Sequence, residues 1–301
     1  MKNPKVLAAV ITRNRVKLLK RCLNFLNKQS YKLSEILIVN NESSDGTSSF
    51  LENENYSAIN QKNLGSAGGW NSAINYFLNT DCDFIWLMDD DGFPDEEALF
   101  NLINNFKPNY SCLSSVVVQE NNYDKFVFPM SLLKDGEPKF ISIKRKEKFL
   151  KNIFKDNETY DYAHLFNGAL INKNTILKIG NVNLNYFVSG DELDYYYRLK
   201  TVGDVKSLKT SLHYHPDVEN RKFSEIWIYY YLKNTIIINK KYRDLIFLRN
   251  LAVVLKVFER IISKNGVMFF FKFFFTKKIL IFIKAIYRGL SGKLERDFCN
   301  I

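Results

Sequence analysis

Residues Phe84-Ile85-Trp86-Leu87-Met88 form an apolar run that ends in three consecutive carboxylates, Asp89-Asp90-Asp91. The run has the length of one buried strand, and Gly92-Phe93-Pro94 predicts a turn straight after it. Carboxylates crowded at a strand end repel one another unless positive charge sits among them. A hard divalent cation is the usual answer, because carboxylate oxygens suit Mg2+ or Mn2+. In an extended or turning segment, residues two apart converge on one side. Asp89 and Asp91 are therefore the expected metal ligands, with Asp90 pointing elsewhere. Such a cation usually clamps phosphates. The plainer alternative is a solvated acidic turn, with Asp95 capping the next helix.

Elements around this run alternate between strand and helix. Val6–Ile11 and Ile36–Val39 read as buried strands, and a weak third lies near Ser57–Ile59. Between them, Leu18, Leu19, Cys22, Leu23 and Leu26 recur at helical spacing over residues 16–29. A second helix restarts at Asp45-Gly46-Thr47, and a third runs from Gly68 to Leu78. Strands apolar on both faces, alternating with helices, predict a mostly parallel α/β sheet flanked by helices. In such sheets ligands bind outside the carboxyl ends of the strands. Thr12-Arg13-Asn14, Asn40-Asn41, residues 63–69 and the aspartates all fall there. Residues 119–162 read as an irregular, charged excursion, and order resumes at Leu165–Ile171.

Asn63-Leu64-Gly65-Ser66-Ala67-Gly68-Gly69 is a glycine-rich loop opening a helix. Glycines let backbone N–H groups approach a phosphate, and a helix N-terminus favours negative charge. The alternative is an ordinary turn. Gly190-Asp191-Glu192-Leu193-Asp194 forms a second acidic cluster, with Arg198 one helical turn beyond Asp194. An Asp194–Arg198 pair at that spacing is structural. Glu192 or Asp191, in the first turn, is a candidate general base, or simply complements the helix dipole. His213 and His215 alternate onto one side of a strand, and either is a candidate third metal ligand.

Together these segments, with Phe166-Asn167-Gly168 and Tyr229-Tyr230-Tyr231-Leu232-Lys233-Asn234, resemble family 2 glycosyltransferases of the GT-A fold. The resemblance runs from about Lys5 to Asn239, and is strongest to the galactofuranosyl- and rhamnosyl-transferase branch. It implies a Rossmann-like GT-A catalytic domain over residues 1–239. It also implies an inverting transfer from a nucleotide-diphosphate sugar to a glycan or lipid-linked acceptor in surface polysaccharide synthesis. Galactofuranose is the first expectation for the sugar and rhamnose the second. Donor binding would fall to Thr12, Arg13, Asn14, Asn40, Asn41, Asn63, Gly65, Gly68, Gly69 and Asp90. Metal binding would fall to Asp89, Asp91 and His215, with His213 as the other candidate. The acid six residues before the helix Arg would be the base, which here is Glu192, with Asp191 beside it. Many relatives carry Asp where Asn40 and Glu192 stand. The rivals are a sugar nucleotidyltransferase, expected to carry a glycine-rich loop after the first strand, and a non-catalytic membrane-surface scaffold. No G-x-S-x-G element supports a serine hydrolase.

Charge is unevenly placed. Residues 240–301 hold 14 Lys/Arg against 4 Asp/Glu, whereas the remainder holds 29 against 28. This segment, an α-helical C-terminal tail, also contains Met268-Phe269-Phe270-Phe271-Lys272-Phe273-Phe274-Phe275. A basic, Phe-rich helical tail too interrupted to span a bilayer predicts attachment to an anionic membrane surface. The alternative is packing on the catalytic domain or an oligomer contact between C-terminal helices. No nucleic-acid module is recognisable. Met1–Lys5 lead into a strand without an apolar leader, and Cys22, Cys82, Cys112 and Cys299 show no paired spacing. The expected location is the cytoplasm, peripheral on the cytoplasmic membrane face.

Overall fold

The computed structural model describes residues 3–155, 157–218 and 221–298; Cys299 lies outside them. The chain divides into two compact units. The first comprises Met1–Leu64, Gly69–Asn181 and Arg198–Asp217; the second comprises Gly65–Gly68, Val182–Tyr197 and Val218–Ile301.

The first unit begins with β1 (Val6–Thr12), α1 (Val16–Asn27), β2 (Glu35–Asn41), α2 (Thr47–Asn53) and β3 (Ser57–Gln61). Helix α3 (Gly65–Leu78) leads to β4 (Phe84–Asp89), the short β5 (Phe93–Pro94) and α4 (Ala98–Asn105). Every residue of β1 is buried, as a strand covered on both faces requires. The stripe Leu19, Cys22, Leu23 and Leu26 of α1 packs in one core cluster with Val6, Ala8 and Val10 of β1. Strand β1 pairs in parallel with β2 and β4, and β2 with β3.

The segment from 119 to 162 is more regular than its sequence suggests. Strand β6 (Tyr110–Gln119) turns directly into β7 (Asn122–Ser131), followed by a small hairpin of β8 (Leu133–Lys134) and β9 (Glu137–Pro138). Then come β10 (Lys146–Phe149), α5 (Leu150–Phe154) and β11 (Thr159–Tyr160). Charged residues interrupt the alternation of β7, which has β10 along one side and β6 along the other. Packing of Phe126 and Met130 with Val116, Val118 and Phe154 secures the hairpin. Strand β12 (Asn167–Asn172) runs antiparallel between β4 and β6, and α6 (Lys173–Ile179) follows it. After α7 (Asp191–Lys200), β13 (Asp204–His215) pairs in parallel with β6 and antiparallel with β5 and β11. Among the described residues the sheet has order β10-β7-β6-β12-β4-β1-β2-β3, a parallel core with antiparallel additions.

The second unit is built on α8 (Glu225–Tyr242), α9 (Ile246–Asn265), α10 (Val267–Phe274) and α11 (Ile279–Leu290). The expected boundary at 239/240 falls inside α8, and that whole helix belongs to this unit. Its core holds Tyr229, Tyr230, Leu232, Val257, Ile261, Phe273 and Phe282. The Phe-rich run therefore divides: Phe273 is buried and Phe269, Phe270 and Phe274 pack on the core, while Met268, Phe271 and Phe275 are exposed. Lys233, fully buried on α8, donates to Asp297 Oδ2 at 2.6 Å and to the Glu295 carbonyl at 2.7 Å. Arg288 reaches the other oxygen of Asp297 at 2.5 Å.

Breaking a buried pair strands a charge and costs about 3–5 kcal/mol, whereas replacing both partners with apolar groups is often neutral. Asp297→Ala should lower unfolding free energy by about that much in urea titrations. Lys233→Met combined with Asp297→Leu should recover most of it; a double variant no better than Asp297→Ala would contradict this account.

Candidate active site

Parallel register sets the carboxyl edge of the first unit. Ile11 of β1 lies opposite Asp89 of β4, and Thr12 lies opposite Asn40 of β2. Three neighbouring strands therefore deliver their last polar residues at one level. Asp90 turns inward and is buried. It accepts from Thr12 Oγ1 at 2.7 Å and from Arg15 at 3.0 Å. Burial pushes its carboxyl up to about 6, against the pull of Arg15 and Thr12. The same Arg15 nitrogen reaches Asp91 Oδ2 at 2.8 Å. The positive charge expected among the aspartates is thus supplied in part by a guanidinium, from a residue the sequence reading does not single out. Its signal is position: Arg15 directly follows the Thr12-Arg13-Asn14 strand end.

The second oxygen, Asp91 Oδ1, lies 3.0 Å from His215 Nε2. This meeting follows from local sequence. Strand β5 starts two residues after Asp91 and pairs with β13, placing Pro94 opposite His213 and Phe93 opposite Tyr214. His215 Nδ1 sits 2.7 Å from the Pro216 carbonyl, which can only accept, so Nδ1 carries the proton. In the neutral ring, Nε2 then presents a lone pair toward a carboxylate oxygen. Two acceptors this close call for a proton or a cation between them. A separation of 3.0 Å also matches the edge of an octahedron with metal–ligand bonds of about 2.1 Å. The donor set fits a divalent cation. Among the described residues, no group of three or more His, Cys, Asp or Glu side chains is set to hold a metal. Asp89 ends β4 half-buried, with its backbone N–H on the Phe166 carbonyl at 2.9 Å.

His213 is fully buried, and neither ring nitrogen has a hydrogen-bond partner among the described residues. A Cβ on Gly92 would collide with its Nε2. Burial, then the neighbouring His215, depresses its imidazole to about 3, so it stays neutral. The geometry favours His215 over His213 as the ligand. Arg21 stacks on Phe93 with its centre 4.6 Å from the ring centroid. It also donates to the Asp91 carbonyl at 2.9 Å and to Glu120 at 2.7 Å, which braces the turn.

Several expected donor contacts have structural employment. Asn14 adopts φ 54° and its Oδ1 accepts from the Ser44 backbone at 2.6 Å. Asn40 donates to Ser48 and Asn60 at 2.9 and 2.8 Å and accepts from the Ser43 backbone at 3.2 Å. Asn41 accepts from Gln61 at 2.6 Å, and the Asn63 N–H reaches Glu42 at 3.3 Å. Arg13 is exposed. The glycine-rich segment begins helix α3 at Gly65, earlier than expected. A Cβ at Gly69 would lie 2.7 Å from Ile11, and one at Gly65, which has φ +72°, would strike the Phe187 carbonyl. Close packing of this chain against itself accounts for both glycines; Gly68, inside the first turn, is buried.

In the second unit, Asp191 and Glu192 open α7. Ser66, also unremarked in the sequence reading, donates to Asp191 Oδ2 at 2.8 Å. Asp191 is buried, and this pushes its carboxyl up to about 6. Glu192 is half-exposed. Asp194 accepts from Tyr186, Lys241 and Tyr242 at 3.1, 2.9 and 2.8 Å. Arg198, in the first unit, donates to the Ile179 and Asn181 carbonyls at 3.0 and 2.9 Å, closing the end of α6.

Two surface cavities of about 470 and 630 Å3 open beside Phe84 and Glu35, at the amino ends of β4 and β2. That is the sheet edge opposite the aspartates, so neither cavity belongs to this site.

Comparison with known proteins places the arrangement. Galactofuranosyltransferase GlfT1 of Mycolicibacterium smegmatis is 26% identical over 208 residues, covering 66% of this chain and 66% of that protein. GlfT1 of Mycobacterium tuberculosis is 28% identical over 202 residues, covering 64% of each. The alignments thus span slightly less than two thirds of those relatives. Among solved structures, GalNAc-T7 with UDP, GalNAc and Mn2+ superposes with TM-score 0.62 at 13% identity, covering 97% of this chain and 58% of that one. Staphylococcus aureus TarS 1–349 in complex with UDP-GlcNAc gives 0.56 at 16% identity, covering 96% and 81%. These structures share the GT-A fold. The glycosyl transferase family 2 model matches residues 8–168, more than half of the sequence and inclusive of the aspartates that end β4, and the chain belongs to that family.

Proposed function

We propose that this glycosyltransferase moves a sugar, galactofuranose first and rhamnose second, from a nucleoside-diphosphate donor to a hydroxyl of a glycan or lipid-linked acceptor, with inversion. The observation that carries the reading is the Asp91–His215 pair at 3.0 Å on the carboxyl edge of a parallel sheet. The galactofuranosyltransferase relatives support the choice of sugar. Family membership sets aside the nucleotidyltransferase alternative, and the β1–α1 connection, Arg13-Asn14-Arg15, lacks the glycine-rich loop expected of one.

In this mechanism Asp91 and His215 would hold Mn2+ or Mg2+, with Asp89 as the further expected ligand. When bound, the cation offsets the charge that develops on the departing diphosphate. Thr12 and Arg15 fix Asp90 behind the site, and Arg21 fixes the backbone of Asp91. Glu192, or Asp191 beside it, accepts the proton of the acceptor hydroxyl. One displacement then inverts the anomeric carbon. In a donor-panel turnover assay with Mn2+, Asp91→Ala should abolish transfer and remove the metal-dependent part of UDP binding. Equal UDP affinity for mutant and wild type in Mn2+ would contradict the metal role. Failure of the wild type to turn over any nucleotide sugar would favour the scaffold alternative.

The two candidate bases differ in their environments. A base works as the carboxylate, so if Asp191, raised to about 6 by burial, is the base, turnover should fall as pH drops through that value. Glu192→Gln is expected to reduce kcat by several orders of magnitude with donor affinity kept. If Asp191→Asn causes the large loss and Glu192→Gln does not, Asp191 is the base.

The proposed location is an anionic membrane surface. Leu280, Ile283, Tyr287 and Leu290 form an exposed stripe on α11, and Leu248, Leu251, Leu255 and Ile262 form another on α9. Met268, Phe271 and Phe275 extend the exposed apolar surface along α10. Lys256, Lys272 and Lys284 are exposed on the same helices and Lys277 in the turn before α11, whereas Arg288 is drawn to Asp297. No helix among the described residues is long and apolar enough to cross a membrane. Each basic residue near an anionic surface contributes about 1 kcal/mol, and inserted apolar area adds a term that salt does not screen. Anionic vesicles should therefore co-sediment the protein, and high salt should release only part of it. Phe271→Ser with Phe275→Ser should weaken attachment in high salt most. Pelleting that ignores both anionic lipid and these substitutions would reject the membrane reading in favour of an oligomer contact.

A further inference from the structure

The motif Tyr229–Asn234 contributes a side chain that the proposed chemistry leaves without a role. Asn234 is fully buried on α8. Its Nδ2 donates to the carbonyls of Tyr186, Val188 and Ser189 at 3.0, 3.2 and 2.5 Å. These carbonyls belong to the short segment that launches α7. That segment has an unusual backbone: Phe187, Ser189 and Gly190 have φ of 60°, 62° and 100°. Phe187 has ψ −68°, and the Val188 N–H closes onto the Tyr186 carbonyl at 2.7 Å. This is the γ-turn of the rare, strained form. Such a conformation persists only where its surroundings over-determine it.

Two sets of contacts do so within the second unit. On one side, the Phe187 carbonyl accepts from the Ala67 N–H at 3.2 Å, and Ser66 bonds Asp191 at 2.8 Å. On the other side stands Asn234. A Cβ on Gly190 would come within 2.9 Å of the Asn234 Cβ, so the chain passes over this residue at glycine distance. Asp191 and Glu192 follow immediately, and their backbone positions are inherited from the turn.

We infer that Asn234 is a positioning residue, whose amide clamps residues 186–190 in the strained turn and so sets the carboxylates at the start of α7. The inference rests on the proposed base reading. A clamp of this kind acts on kcat and leaves donor binding alone, because the carboxylate is displaced from the acceptor hydroxyl while other groups hold the nucleotide. General stabilisation of α8 would instead lower the amount of folded protein and leave the kcat of that fraction unchanged.

The test uses the full-length protein and three substitutions at one site. Asn234→Leu keeps the branched shape with added bulk and removes the donor; Asn234→Ser keeps one shorter donor; Asn234→Ala removes the donor without added bulk. Per folded enzyme, by active-site titration, kcat should fall at least tenfold in Asn234→Leu and Asn234→Ala, with recovery in Asn234→Ser. The donor KM should stay within twofold. Amide hydrogen exchange over 187–190 should accelerate in the same order. Asp191→Asn and Glu192→Gln are measured alongside. Wild-type kcat in Asn234→Leu beside an inactive acid variant would overturn the positioning role alone. Full turnover in both acid variants would overturn the base reading and the clamp with it. Serine no better than leucine would also overturn it, as would a loss carried by KM.

Discussion

Crowded negative charge at the end of β4 is the constraint around which the first unit is organised. Three adjacent carboxylates cannot share a strand end without compensation, and the fold divides them. Asp90 is drawn inward and held by Thr12 and Arg15, while Asp91 is left between Arg15 and His215. The surrounding architecture follows from keeping those partners in place. The parallel register brings Thr12 level with the aspartates, β5 carries β13 across to them, and Arg21 pins the turn by its backbone. Gly92 lets the turn lie against His213, where a side chain would collide. The result is a carboxylate oxygen and an imidazole nitrogen 3.0 Å apart at the carboxyl edge of the sheet.

The second unit has a different logic. Its helices bury aromatic residues inward, and the charged pair of Lys233 and Asp297 is sealed within them. Its outer surface keeps large apolar side chains exposed on three successive helices. Phe271, Phe275 and Ile283 are among these exposed side chains. The same unit holds the segment leading into α7, so one body joins the proposed acid–base residues to the proposed membrane-facing surface.

Much of this was legible in residue order. The strands at Val6, Ile36 and Phe84 are continuous apolar runs because both faces are covered, and the stripe of α1 is the one that packs on them. The β6–β7 hairpin was not legible, since charged residues break its alternation and tertiary packing of Phe126 and Met130 decides its conformation. Glycines were legible as special positions but not by cause. The sequence reading expects them to admit a phosphate; the structure adds a second demand, since a Cβ at Gly65 would meet Phe187 and one at Gly69 would meet Ile11. Strand alternation put His213 and His215 on one side without separating them; pairing with β5 seals the first and leaves the second facing Asp91. Arg15 shows the limit most clearly. The need for a positive charge was readable from three aspartates, but a guanidinium and a metal ion satisfy it equally well until distances are known.

Asp91 and His215 are the proposed ligands of a divalent cation. Electron spin-echo spectroscopy of Mn2+ added to the full-length protein with UDP tests this proposal directly, because a coordinated imidazole nitrogen modulates the Mn2+ echo. The account predicts nitrogen modulation that disappears in His215→Ala and persists in His213→Ala. Modulation that survives His215→Ala, or none in the wild type with Mn2+ bound, would contradict it.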